Sequence, residues 1–231
     1  MNNKAVVVLS GGMDSVTALY VAKEENKEVY AISFDYGQKH KKELLFAKEV
    51  CKRLNIDHKI VDLTNITALI SNSALTGTIE VPEGHYEQEN MKLTVVPNRN
   101  MIMSSIAIGY AVNIKAERVY LGVHSGDHVI YPDCRTQFIK ALDLCGYLAN
   151  EGFGKVEIKA PFMYMTKAEI VKLGNTLEVP YEFTWSCYKG GEKHCGRCGT
   201  DTERKEAFRL AGVSDPTEYE DETGAYRGNK S

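Results

Sequence analysis

The sequence predicts an open α/β sheet of parallel strands, on three observations. Short β-branched runs alternate with helical apolar periods through the first half of the chain, a βαβαβ order that calls for right-handed crossovers. The first of these runs, Ala5 to Leu9, breaks at Ser10-Gly11-Gly12 and passes straight into an apolar-periodic segment, the pattern of strand, loop and helix. Finally, 231 residues that are 43% hydrophobic and 26% charged have the size and composition of one ordinary globular unit.

The elements follow in order. Lys4 to Leu9 reads as strand one, and Asp14 to Lys27 as a helix with Val16, Leu19, Tyr20 and Ala22 on its apolar face. Glu28 to Phe34 is strand two. Lys39 to Asn55 is a longer helix in which Leu44, Leu45, Ala47, Val50, Cys51 and Leu54 recur at helical spacing. His58 to Leu63 is strand three. From Asn65 to Thr94 the pattern becomes polar, with Gly and Pro and few large apolar residues, as expected of a substrate-side loop or lid. Asn100 to Ile114 is rich in Met, Ile and Ala and reads as a buried helix. Arg118 to Val123 is strand four, Gln137 to Asn150 a helix and Lys155 to Ile158 a short strand. Thr166 to Thr176 is a helix opened by Thr166 with Glu169 three residues on, a capping box. Cys187 to Thr200 is a Gly-rich loop, Thr202 to Ala211 a helix, and a loosely ordered tail is expected from about Glu220.

Composition narrows the function. A net charge of −3 provides no global basic field, which argues against a large nucleic acid held by bulk electrostatics. No run approaches the ~18 apolar residues of a membrane helix. The N-terminus enters a strand directly, and the chain reads as cytoplasmic. Three of the six cysteines crowd into Cys187 to Cys198, which in a reducing compartment suggests metal ligation over a disulfide framework.

Four clusters could carry chemistry. In Ser10-Gly11-Gly12-Met13-Asp14-Ser15, two glycines permit close backbone approach, and the helix start that follows offers unpaired amides to an anion; the plain alternative is a tight turn. Ser10 and Ser15 add hydroxyl donors, and Asp14 suits a divalent cation. The loop lacks the lysine of a Walker motif. In Val96-Pro97-Asn98-Arg99-Asn100, an arginine at a helix start could fork a phosphate or carboxylate, or the stretch is an Asn N-cap beside a solvated Arg. The third cluster, Gly122 to Asp127 and His128, then Tyr131 to Arg135, leaves the carboxyl end of strand four, where ligands of such sheets lie. There Asp127 or Asp133 could accept a guanine-type edge and Tyr131 could stack on a ring, unless this is an internally satisfied polar loop. The fourth cluster, Cys187, Cys195 and Cys198 with His194 and Asp201 adjacent, is a structural-zinc pattern that wants a fourth ligand; a redox pair is the competing reading.

The Ser-Gly-Gly-x-Asp-Ser string resembles the pyrophosphate loop of the ATP-pyrophosphatase (PP-loop) group. Together with YGQKH at 36 to 40, VPNRN at 96 to 100, GVHSGDHVIYPDCR at 122 to 135, TKAEI at 166 to 170 and WSCYKGGEKHCGRCGT at 185 to 200, it resembles the 7-cyano-7-deazaguanine (preQ0) synthase family of the queuosine pathway, to about Tyr219. The resemblance implies a Rossmann-like domain of the adenine nucleotide alpha hydrolase kind over 1–219, with a zinc-binding loop at 185–201 and a tail at 220–231. It implies ATP-dependent adenylation of the carboxylate of 7-carboxy-7-deazaguanine, amidation by ammonia and dehydration to the nitrile, with magnesium, zinc and a homodimer. Carried over to this chain, Leu9, Ser10, Gly11, Gly12, Met13, Asp14, Ser15, Phe34, Gln38 and Lys167 would hold the nucleotide. Arg99, Asp127, Tyr131, Asp133 and Arg135 would hold the deazapurine acid, and Asp14, Lys167 and Arg99 would be catalytic. Lys167 could equally be a solvated helix residue, and the His40 that accompanies Gln38 has no assigned step.

One position departs from the family. Its zinc site is expected to use four cysteines, the last in a GTC sequence, where this chain has Gly199-Thr200-Asp201. Either Asp201 is the fourth ligand, with Cys187, Cys195 and Cys198, or it is an acidic first-turn residue of the next helix, which Thr200 and Glu203 would open as a capping box. The change also raises a second product: the same adenylate passed to another amine, such as a protein N-terminus. A tRNA-modifying enzyme of the PP-loop group and a non-catalytic nucleotide-binding module are more distant alternatives.

Overall fold

The structure is a computed structural model, and it describes residues 3–38, 41–67, 69–70, 73, 75, 94–124 and 131–228. Five strands form one parallel sheet in the order β3-β2-β1-β4-β5: β1 Lys4–Val8, β2 Glu28–Asp35, β3 Asp57–Asp62, β4 Arg118–Tyr120 and β5 Glu157–Lys159. The helices are α1 Met13–Glu25, α2 Lys42–Leu54, the short α3 Thr64–Thr67, α4 Arg99–Asn113, α5 Thr136–Ala149, α6 Lys167–Thr176 and α7 Gly199–Ala211. Among the described residues no helix is long and apolar enough to cross a membrane.

β1 is the central strand. Val6 pairs with Tyr30 of β2 on one side and Val119 of β4 on the other, and Ala5, Val6 and Val7 are fully buried, as a strand covered on both faces requires. On one face, Val6, Ile32, Val119 and Ile158 pack with Met103, Ala107 and Ile108 of α4 and with Ile139 and Leu142 of α5. On the other, Ala5, Val7 and Ala31 pack with Val16 and Leu19 of α1, Ala47 and Val50 of α2, Val171 of α6 and Phe208 of α7. The strand order reverses between β1 and β4, the position where sheets of this kind open a crevice at their carboxyl ends.

Most expected elements are present within a few residues of their expected ends, and the differences have physical causes. The α2 stripe is Leu44, Ala47, Val50 and Cys51, whereas Leu45, one residue around the helix from Leu44, is 66% exposed. The capping box of α6 is present: Thr166 accepts from the Glu169 amide and Glu169 accepts from that of Thr166. The one expected at α7 is not, because that helix starts earlier, from Cys198 at its N-cap. Thr200 instead donates to the carbonyl of Ser186 (2.8 Å), and Glu203 pairs with Lys167 (2.6 Å).

The segment expected to be a loose tail is tied down as far as Gly228. Glu220 N donates to the His194 carbonyl (2.7 Å) and Asp221 N to that of Cys195 (3.3 Å). The buried Lys205 ammonium donates to the carbonyls of Gly196 (2.9 Å), Thr223 (2.9 Å) and Asp221. Residues 229–231 lie outside the described residues, as does most of the loop or lid expected from Asn65 to Thr94.

Arg204 of α7 holds the chain that returns toward the sheet. It is fully buried, donates to Thr184 Oγ1 (2.8 Å), the Tyr181 carbonyl (3.0 Å) and Ser186 Oγ (3.3 Å), and lies 3.7 Å from the buried Asp215 carboxylate. Asp215 also accepts from Tyr219 OH (2.6 Å) and Thr217 N (3.0 Å). Arg204→Ala would leave that carboxylate buried without its cation, and urea unfolding is expected to show a loss of about 3–5 kcal/mol.

Candidate active site

The loop after β1 is shaped by its two glycines. Gly11 has φ +90°, and a Cβ there would lie 2.0 Å from the backbone oxygen of Glu43, so only glycine fits. The Gly11 carbonyl accepts from Trp185 N (2.9 Å), which fastens the loop to the C-terminal part of the chain. Ser15 Oγ accepts from the amides of Ser10 and Gly11 (both 3.2 Å) and shares a hydrogen bond with Ser10 Oγ (3.0 Å). Gly12 caps α1 without a side-chain hydrogen bond, so the helix start presents amides of the kind that bind anions.

A cluster of ionisable groups gathers beside this loop. Lys167 Nζ lies 3.2 Å from Asp14 Oδ2 and 2.6 Å from Glu203 Oε2, and His124 Nε2 lies 3.9 Å from Asp14 Oδ2. Asp14 Oδ1 is buried without a hydrogen-bond partner among the described residues. Such an atom suits a bound cation, since an unsatisfied carboxylate oxygen is costly away from water.

A second group forms around Arg99. Its Nη1 donates to Tyr36 OH (3.4 Å), and the hydroxyls of Tyr131 and Tyr188 and the Asp133 carboxylate also act on it. Removal from water raises the Tyr36 phenol to about 12, with Glu43 adding to the shift, and raises Tyr188 well above the ordinary value. Both groups open into one cavity of about 250 Å³, whose wall includes Leu9, Ser10, Gly12, Met13, Asp14 and Ser15. Phe34, Arg99, Tyr131 and Lys167 line it too. The single cavity thus joins the glycine loop to a half-buried arginine.

The cysteine loop stands next to it. Donor atoms of Cys187, Cys195, Cys198 and Asp201, all buried, lie within 4.8 Å of one another. Backbone amides point at the sulfurs: Arg197 N and Cys198 N at Cys195 Sγ (3.4 and 3.2 Å), Lys189 N and Cys195 N at Cys187 Sγ (3.4 and 3.3 Å). The Cys195 thiol is held far below its usual range, first by the neighbouring Cys187 and Cys198 thiols and then by these amides. Asp201 directs Oδ2 at Cys195 Sγ (3.4 Å), while its Oδ1 meets His194 Nδ1 (2.8 Å). Three thiols, an inward carboxylate and a histidine behind it are a donor set that fits tetrahedral zinc.

The family described as "Queuosine biosynthesis protein QueC" matches residues 4–212. The chain belongs to the QueC family. A protein of Marinomonas sp. (strain MWYL1) named 7-cyano-7-deazaguanine synthase is 55% identical over 220 residues, 95% of this chain and 100% of the relative. Another of that name, from Hahella chejuensis (strain KCTC 2396), is 56% identical over 218 residues, 94% of each chain. Among solved structures, that of NMN synthetase from Francisella tularensis covers 92% of this chain and 78% of its own, with a TM-score of 0.50 and 18% identity, a likeness of fold alone.

In this QueC-family chain, some expected site residues have other tasks. Gln38 lies off the cavity wall: its Oε1 accepts from Tyr36 N (2.9 Å) and its Nε2 donates to Glu43 Oε1 (3.0 Å), so it braces the turn after β2. Asp133 and Arg135 are not on the wall either. Asp133 Oδ2 accepts from Asn100 N (3.1 Å) and so caps α4, whose own N-cap, Asn98, is left-handed and makes no side-chain cap. Asp127 and His40 lie outside the described residues.

Conversely, Glu43, Trp185, Ser186 and Tyr188 line the cavity and were not among the expected site residues. Glu43 had a legible signal, since it falls on the same inward stripe of α2 as Ala47 and Val50, an unusual place for an acid. Gly11→Ala is expected to cost at least about 1–3 kcal/mol from its backbone conformation, on top of the displaced Glu43 carbonyl. Gly12→Ala, whose Cβ would meet nothing nearer than 3.4 Å, should change stability by no more than about 1 kcal/mol. Urea unfolding of both variants checks the contrast.

Proposed function

We propose that this chain uses ATP to adenylate the carboxylate of 7-carboxy-7-deazaguanine, converts the adenylate to an amide with ammonia, and, after a second adenylation that lets the amide oxygen leave on AMP, dehydrates the amide to 7-cyano-7-deazaguanine. The observation that carries the reading is the shared cavity, with a glycine loop and Lys167 in one group of residues and Arg99 in another. The name borne by its close relatives supports it.

A carboxylate is a poor acyl donor until one oxygen becomes part of a leaving group. Attack of that oxygen on the α-phosphorus of ATP expels pyrophosphate, and AMP then serves as the leaving group for ammonia. The work left to the protein is positioning and charge stabilisation. Ser10, Gly11, Gly12, Met13 and Ser15 would grip the departing pyrophosphate with loop amides and hydroxyls, and Lys167, oriented by Asp14 and Glu203, would reach its oxygens. The adenine would lie against Leu9 and Phe34. Arg99 would orient the acid, with Tyr131 against its ring system. Asp14 would hold magnesium, which when bound neutralises phosphate charge. Cys187, Cys195, Cys198 and Asp201 would hold zinc as a cross-link of the loop next to the cavity. As such an enzyme, the protein would act in the cytoplasm as a homodimer.

Incubation with ATP, magnesium, 7-carboxy-7-deazaguanine and ammonium is expected to yield pyrophosphate, AMP and a nitrile by mass spectrometry. Release of ADP without pyrophosphate would overturn the reading. Asp14→Ala should slow pyrophosphate release about 100-fold or more while leaving the fold intact by circular dichroism. Elemental analysis of the purified protein should find close to one zinc per chain, and Asp201→Ala should surrender it to a chelator about tenfold more readily. A wild-type content well below one zinc would count against the metal assignment.

A further inference from the structure

Resting on the function proposed above, we propose that Glu43 is the general base of the amidation step. Its carboxylate takes a proton from the incoming ammonium, the freed nitrogen lone pair forms the C–N bond at the acyl carbon, and the C–O bond to AMP breaks with its electron pair leaving on AMP. The second proton shed by the new C–N centre goes to the departing phosphate.

The cavity wall leaves little choice. Among the described residues it carries two carboxylates, Asp14 and Glu43. Asp14 pairs with Lys167 through Oδ2 and, in the function proposed above, holds magnesium through Oδ1, while Lys167 is a cation paired with Asp14 and Glu203, so neither takes a proton from the amine. Arg99 is a permanent cation. Tyr36 and Tyr188 are held as neutral phenols by their burial, and the Cys134 sulfur already accepts from Asn100 Nδ2 (3.3 Å). Glu43 stands in the first turn of α2, faced by Gln38 and Tyr36 from the turn after β2 and by Arg99 from α4.

Its chemistry suits the task. Loss of water around it raises the Glu43 carboxyl to about 7, against the opposing pulls of Arg99 and of the Gln38 hydrogen bond. A base of that strength is near half-ionised at neutral pH and can both accept and return a proton. Gln38 already occupies Oε1, which leaves one oxygen wholly for a ligand. That suffices to remove a proton, whereas a paired grip on a guanine-type edge wants two.

The test compares two amines. Ammonia arrives mostly protonated at neutral pH, whereas hydroxylamine, a much weaker base, arrives mostly free. Glu43→Gln keeps the shape and can still accept from Gln38. At pH 7 it should lower the ammonium-dependent rate of amide formation about 100-fold while lowering hydroxylamine-dependent hydroxamate formation far less. An equal loss with both amines would assign Glu43 to substrate binding and overturn the proposal, as would no loss with either. Wild-type protein that forms neither product would sink the underlying function instead.

Folding of the variant has its own check. The Glu43 proton is bound more tightly in the folded chain, so wild-type stability falls as pH rises from the ordinary carboxyl value of 4.5 through about 7. Glu43→Gln removes that loss, so its Tm should exceed that of wild type at pH 8 and nearly match it at pH 5. Should the variant not fold, the wild-type enzyme decides. Its rate per ammonium ion should rise with pH and level off above an apparent pKa near 7, a step that the rate per free hydroxylamine lacks. Coincident profiles would overturn the proposal.

Discussion

The contact on which the site depends is backbone against backbone at Gly11. Its missing side chain lets the loop after β1 rest on the Glu43 carbonyl at the head of α2, and its own carbonyl receives the Trp185 amide. Three distant parts of the chain therefore meet at one residue. Trp185 extends the junction: its ring packs on Phe46 and His194, with centroids at 5.5 and 4.3 Å, and the Lys42 ammonium sits 4.6 Å from its own centroid. The glycine loop is thus shaped by close packing, and its geometry does not rely on flexible side chains.

The two basic groups of the cavity are prepared differently. Lys167 is balanced by the carboxylates of Asp14 and Glu203, which fix its position and cancel much of its charge. Arg99 has phenol hydroxyls for its nearest neighbours, with carboxylates acting on it less directly. A neutral dipole steadies a cation without neutralising it, so Arg99 keeps its attraction for an incoming carboxylate. Lys167 serves phosphates best once a ligand draws charge away from the carboxylates, a role in which a bound cation at Asp14 would help.

How far the sequence discloses this arrangement depends on the range of the interaction. Gly11, Ser15, the α1 periodicity and the Thr166–Glu169 capping box are local signals, and local chemistry decides them. Arg99, Tyr131 and Lys167 reach one cavity because the order of the strands brings their elements to it, and the βαβ pattern makes that order legible. The capping of α4 by Asp133 was not legible, because its partner, Asn100 N, is a backbone amide from another segment, invisible to any reading of motifs. Thr200 and Glu203 make a plausible capping box on paper, but each finds a stronger tertiary partner, in Ser186 and Lys167. The supposed tail was misjudged likewise, since its polar composition hides the carbonyls that Lys205 collects.

The joining of Gly11 to Trp185 also bears on the order in which the molecule comes into being. During synthesis the glycine loop emerges long before the segment that clasps it, because Gly11 and Trp185 lie far apart in the chain. Arg204, which follows later still, braces this segment from behind through Tyr181, Thr184 and Ser186. The cavity wall is therefore completed by long-range closure, which is slow compared with helix formation. A wall built from both halves of the chain in this way ties the shape of the cavity to completion of the whole fold.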